Sequence, residues 1–208
     1  MTRWQEFYLE DKRVLHAPHT LCAERAAQLF AQHHKRTILD LACGTGRDSF
    51  YLMDMGFTVI GLDKADSGIV LAGQSTNHEV RHTQFVHGDA RNVAFSDSSF
   101  QGVYSFGLLH EFTNASWKKD VLSVISETQR ILEVDGLLVF AVLAGKPEDG
   151  LPHVRLFSRQ TMDEAFQRFE QISLDMYRDI GCTGSNDYNV WVGVFRNKCK
   201  TKSRDRHD

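Results

Sequence analysis

The 208-residue chain is 42% hydrophobic and 25% charged, ordinary globular values that exclude disordered, collagen-like and coiled-coil classes. Its 24 Lys and Arg against 27 Asp and Glu give a net charge of −3, which argues against a partner held mainly through phosphate groups, so no nucleic acid is expected. The longest apolar run, 137–144, is far short of the roughly 20 residues that span a bilayer, and 1–13 is charged where a signal peptide is apolar, so a cytoplasmic protein without membrane contact is expected.

Residues 21–30 read as a helix, preceded by Pro18, which favours a helix start. Short apolar runs at 37–41, 58–62, 84–87, 102–106 and 137–143 read as strands, several apolar on both faces as a buried parallel sheet requires. Between them, 47–55 reads as a helix stopped by Gly56, and 114–132 as a helix with Trp117, Val121, Val124, Ile125, Thr128, Ile131 and Leu132 on one stripe. Strand and helix in alternation give right-handed crossovers and helices on both faces of the sheet. After a helix capped by Ser158, runs 171–177 and 189–196 follow without a helix between them, which predicts an antiparallel pair closing the sheet. The expected fold is therefore α/β: a three-layer, Rossmann-like sandwich on a seven-stranded, mostly parallel sheet with a C-terminal antiparallel hairpin.

The informative segment is Ile38-Leu39-Asp40-Leu41-Ala42-Cys43-Gly44-Thr45-Gly46-Arg47, a buried strand entering a small-residue turn and then a helix. Such a turn lets a ligand approach the backbone closely. Asp63 and Asp89 end the next two strands, so with Asp40 three acids fall at successive strand ends on the carboxyl edge of the sheet. Asp63 is placed to take the hydroxyls of a ribose, and the ligand should be nucleoside-like. A nicotinamide-dependent oxidoreductase is the nearest rival. Its G-x-G-x-x-G fingerprint would be Gly44-x-Gly46-x-x-Ser49, which lacks the third glycine, and Asp40 would repel a pyrophosphate.

The pattern Asp40-x-Ala42-x-Gly44-x-Gly46 resembles the first motif of the class I S-adenosylmethionine-dependent methyltransferases, with Ala42 in place of a glycine. The resemblance covers about 36–143 and, more loosely, the closing strand pair. It implies S-adenosylmethionine as cofactor: Asp40, Ala42, Gly44 and Gly46 around its methionine moiety, Asp63 at the ribose, Asp89 and the Ala90 backbone at the adenine, and Phe106 among the cofactor contacts. It also implies an N-terminal helical cap or lid over 1–35 and a methyltransferase domain over 36–196, while the alternating Lys and Arg of 197–208 read as a flexible basic tail. A non-catalytic cofactor-binding subunit is a second rival, and a homodimer is left open.

The acceptor is expected to be a small molecule, because the segment 104–112 carries neither the Asn/Asp-Pro-Pro-Tyr of amino-methylating DNA enzymes nor a Pro-Cys nucleophile. His110, followed by Glu111, is the best-placed general base, against the plainer reading of a histidine that orders its loop. As a base it would make the rate rise with pH through about 6.5. Tyr8, His16 and His153 join His110 and Glu111 as acceptor-side residues. His78-Glu79-Val80-Arg81-His82 matches H-E-x-x-H, but it follows Gly73, Ser75 and Asn77 and has no apolar helical face around it, so no metal is expected. The four cysteines show no CxxC spacing and read as free thiols.

Overall fold

The computed structural model describes residues 3–74, 84–146, 153–181 and 187–198. Seven strands form a single sheet in the order β3-β2-β1-β4-β5-β7-β6. They are β1 (Thr37–Leu41), β2 (Thr58–Asp63), β3 (Gln84–His87), β4 (Phe100–Phe106), β5 (Leu132–Leu143), β6 (Glu170–Ile180) and β7 (Asp187–Arg196). The pairs among β1 to β5 are parallel, and β7 runs antiparallel to both β5 and β6. The order reverses direction between β1 and β4, which opens a crevice at the carboxyl ends of these strands.

Strand alternation divides the core into two layers. Ile38, Val59, Tyr104, Val139 and Val192 face the helices α2 (Leu21–Gln32) and α3 (Arg47–Asp54), which contribute Ala26, Phe30, Leu52 and Met53. Their neighbours Leu39, Val103, Leu138 and Phe140 face α5 (Trp117–Ile131) and α6 (Arg159–Ala165), which supply Val121, Val124, Ile125 and Met162. A buried central sheet explains why β1 and β4 read as continuous apolar runs. The helix α1 (Arg3–Glu10) lies outside both layers and packs on α4 (Asp66–Gln74) through a small cluster of Tyr8, Val14 and Ala65.

Several boundaries differ from the sequence reading for local reasons. α2 starts at Leu21 as read, but it is capped by Thr20, whose hydroxyl accepts from Ala23 N at 3.0 Å, and not by Pro18, and it runs on to Gln32. α5 begins at Trp117 because Asn114 Oδ1 accepts from Ser116 N at 2.9 Å and forms a side-chain turn first. Asn197, expected in the tail, is 6% exposed, and its Nδ2 donates to the carbonyls of Gln129, Leu132 and Glu133. It therefore belongs to the folded body, while the His78–His82 motif and the chain from 199 onward lie outside the described residues. No helix among the described residues is long and apolar enough to cross a membrane.

Candidate functional site

A cavity of about 810 Å³ lies at the carboxyl edge of the sheet, roofed by α1. Its wall includes Asp40, Ala42, Gly44, Asp63, Asp89 and Ala90. They meet because parallel strands end on one side, so residues 23 and 26 positions apart in sequence share one edge. The turn after β1 is built from left-handed backbone at Ala42 (φ 67°) and Gly44 (φ 57°), and Ala42 N donates to Leu62 O at 2.7 Å. For Ala42 that conformation costs roughly 1–2 kcal/mol, so the surrounding packing must hold it. Gly44 lets α1 come down onto the turn: a Cβ there would lie 2.6 Å from the Tyr8 hydroxyl, so only glycine leaves room for that ring.

Each acid is held differently. Asp40 is 2% exposed and takes a 2.5 Å bond from Ser49 Oγ. Burial, reinforced by the nearby Asp48 and Asp63 charges, raises its carboxyl to about 8, against the opposing effects of Ser49 and Arg47. Asp63 accepts from Ala65 N at 2.7 Å and Gly44 N at 2.9 Å, while burial pushes its carboxyl upward. A carboxylate has about four acceptor positions, so Asp63 fits the hydroxyls of a ligand in addition. Asp48 accepts from Thr20 N, Thr20 Oγ1 and Tyr104 Oη at 2.7–2.9 Å, and Arg47 Nε stands 3.3 Å from it. A small-residue turn flanked by buried acids, with Arg47 as the cation acting on Asp40, suits the approach of a cationic, nucleoside-bearing ligand.

The opposite side of the cavity is more apolar, with Phe7, Phe106, Leu108, Leu143 and Leu156 in its wall. His110 sits there in a one-turn 3-10 helix, Leu109–Glu111, and its Nδ1 accepts from Leu143 N at 3.4 Å. With Nδ1 accepting, Nε2 carries the proton of the neutral ring. Burial, and to a lesser degree the Arg3 charge, brings the imidazole down to about 4. Glu111 is clasped from α1: Arg3 Nη2 donates to both its oxygens at 3.0 and 3.1 Å, and Trp4 Nε1 donates at 2.8 Å. Arg3 Nη1 also reaches the His153 carbonyl at 3.4 Å.

A methyltransferase domain family matches residues 39–140. A demethylmenaquinone methyltransferase of Beutenbergia cavernae is 36% identical over 173 residues, which cover 77% of this chain and 68% of that protein. The chain belongs to the class I S-adenosylmethionine-dependent methyltransferases. An uncharacterised methyltransferase of Synechocystis sp. is 32% identical over 106 residues, 51% of this chain, and the chain spans about half the length of that relative, 46%. The fold is shared with an S-adenosylmethionine-dependent methyltransferase of Methanosarcina mazei, with a TM-score of 0.68 at 19% identity over 79% of this chain and 93% of that one.

In this methyltransferase, Phe106, Tyr8, His110, Glu111 and His153 line the same cavity as the strand-end acids. Two expected residues do not. His16 is exposed at the end of the 3-10 turn Lys12–Leu15 and is absent from the wall. Gly46 (φ 82°) caps α3, and a Cβ there would strike the Phe85 ring at 2.6 Å, so glycine is required for the turn and for packing beneath it. The expected pH step near 6.5 is also corrected, because burial takes His110 well below that range. Sequence reading passed over Arg3, Trp4 and Lys64, whose partners lie on other elements, and Arg91, which bonds both Asp89 beside it and Asp120 on α5. Two of them carried a local signal: Lys64 directly follows the acid at the end of β2, and Arg91 stands two residues after Asp89.

Proposed function

We propose that this chain transfers a methyl group from S-adenosylmethionine to a small, apolar acceptor. The observation that carries this reading is the convergence of the glycine turn at Gly44 with Asp40, Asp63 and Asp89 on one cavity whose other wall is apolar. Asp40, Ala42 and Gly44 would hold the methionine moiety, Asp63 the ribose, and Asp89 with the Ala90 backbone the adenine. The bound cofactor supplies a sulfonium-activated methyl for in-line displacement.

The chain's own contribution is then positioning and exclusion of water. α1 roofs the cavity, and the Arg3–Glu111 and Trp4–Glu111 bonds hold it there. His110, neutral with its proton on Nε2, is suited to donate a hydrogen bond to an acceptor oxygen and not to remove a proton from it. The apolar wall of Phe7, Phe106, Leu108 and Leu156 favours a ring-bearing acceptor, the class of the substrate named for the Beutenbergia cavernae relative.

Calorimetry with S-adenosylhomocysteine and with NAD tests the cofactor, and binding of NAD alone would replace this reading by the oxidoreductase one. Methyl-labelled cofactor offered with small quinols and with RNA tests the acceptor. Label in the RNA and none in the quinols would refute a small-molecule acceptor, and binding without turnover on any acceptor would favour a non-catalytic subunit.

A further inference from the structure

Asp89 is the one strand-end acid whose acceptor capacity is already full. Its Oδ1 accepts from Arg91 N and Arg91 Nε, both at 3.0 Å, and its Oδ2 accepts from Arg91 Nη2 at 2.6 Å and Lys64 Nζ at 3.0 Å. These bonds match the roughly four lone-pair positions that a carboxylate offers. A donor on a ligand must therefore displace one of them.

The two cations are not equally replaceable. Arg91 grips Asp89 with a fork, and its Nη1 donates at 2.9 Å to Asp120, whose carboxylate is also bonded by Asn114 and Ser116. It is thus fixed from two sides on different elements. Lys64 reaches Asp89 with a single bond from a flexible stem that is 56% exposed, although its backbone is held by His87 Nε2 donating to the Lys64 carbonyl at 3.1 Å. Single exposed ion pairs contribute little, so Lys64 is the partner that yields. Lys64, Asp89 and Arg91 all line the cavity.

We infer that Lys64 is a specificity-determining residue for the base end of the bound nucleoside: it holds the position on Asp89 that an amino group of the base takes over. Arg91 keeps the carboxylate oriented throughout the exchange. A base that presents an oxygen at that place has nothing to offer Asp89 but can accept from the Lys64 ammonium. Lys64 thus competes with an amino-bearing base and assists an oxo-bearing one.

This inference rests on the proposed cofactor, and opposite signs on two ligands separate the two. Calorimetry on wild type and Lys64→Met would measure dissociation constants for S-adenosylhomocysteine and for S-inosylhomocysteine, which differ at the base only. Lys64→Met should bind the adenosyl ligand about threefold more tightly and the inosyl ligand about threefold more weakly, shifting the selectivity about tenfold. Equal changes for both ligands would reduce Lys64 to a general charge effect, and no change would remove it from the site. Failure of wild type to bind either ligand would instead refute the proposed cofactor, and this inference with it.

Discussion

At the scale of single residues, the buried acids decide how the cavity responds to charge. Asp40 has its carboxyl raised from 3.8 to about 8, so it carries a proton at neutral pH in the free protein. A cationic ligand favours the ionised form and must release that proton, so affinity for S-adenosylmethionine should rise with pH up to about 8 and level off above it. Titration of the dissociation constant from pH 6 to pH 9 measures this, and a flat profile would show that Asp40 does not sense the ligand. The same raised value means that the stability Asp40 contributes is full below about 3.8 and is lost as pH rises through about 8. Asp40→Asn, which can keep the Ser49 bond, should therefore be more stable than wild type at pH 8, by at least about 1 kcal/mol, while binding the cofactor less well. Asp63→Ala should weaken S-adenosylhomocysteine binding by about 1.5–3 kcal/mol, since the proposed charge-assisted bonds to the ribose would be lost together with the anchor of Gly44 N. His110→Ala should raise the acceptor KM about tenfold and leave the pH profile of kcat between pH 5.5 and 8 unchanged, because the group it removes titrates near 4. A kcat step near pH 6.5 that vanishes in the variant would restore the base role.

At the scale of elements, what the sequence reveals depends on whether the cause is local. β1 is legible to the residue because a buried parallel strand leaves an apolar run between turn residues, and the edge strand β3 is legible from its short Phe85-Val86 pair before Gly88. Once the strands are placed, parallel geometry alone puts Asp40, Asp63 and Asp89 on one edge. The start of β5 is hidden because Leu132 follows the last residue of α5 directly, and Asp135 (φ 60°) breaks the apolar pattern inside the strand. α4 carries Gly68 and Gly73 in its nine residues and shows no clear apolar stripe. Bonds between distant elements leave no pattern at all. Asp179 of β6 accepts from Leu21 N at 3.0 Å and Cys22 N at 2.8 Å, capping α2 from 158 and 157 positions away. That carboxylate satisfies two otherwise unpaired helix N–H groups and opposes the positive end of the helix dipole. Asp179→Ala should lower stability by about 2 kcal/mol in urea unfolding, and Asp179→Asn by less. Equal losses for the two variants would show that charge, and not bonding to the helix, sets the effect.

At the scale of the whole molecule, the two core layers and the roof differ in how much holds them. The layers on either side of the sheet interlock through fully buried side chains such as Phe30, Leu39, Phe140 and Ile125. α1 rests on a satellite cluster of Tyr8, Val14 and Ala65, on Ser67 Oγ donating to Gln5 O at 3.0 Å, and on the clasp at Glu111. A segment so attached can open at far less cost than global unfolding, and opening it exposes the cavity. If α1 opens as a lid, Glu111 is the latch to release, because it accepts from both Arg3 and Trp4 across 108 and 107 positions of chain. Glu111→Ala should raise amide exchange across α1 about tenfold while the midpoint of urea unfolding stays within error. Adding S-adenosylhomocysteine should restore part of the protection, since Tyr8 and the Gly44 turn form one surface. If the unfolding midpoint falls in step with the exchange, α1 is an integral part of the core and access to the cavity must arise elsewhere. If exchange is unchanged, the apolar cluster alone fixes the roof and the clasp serves only to place Glu111 beside His110.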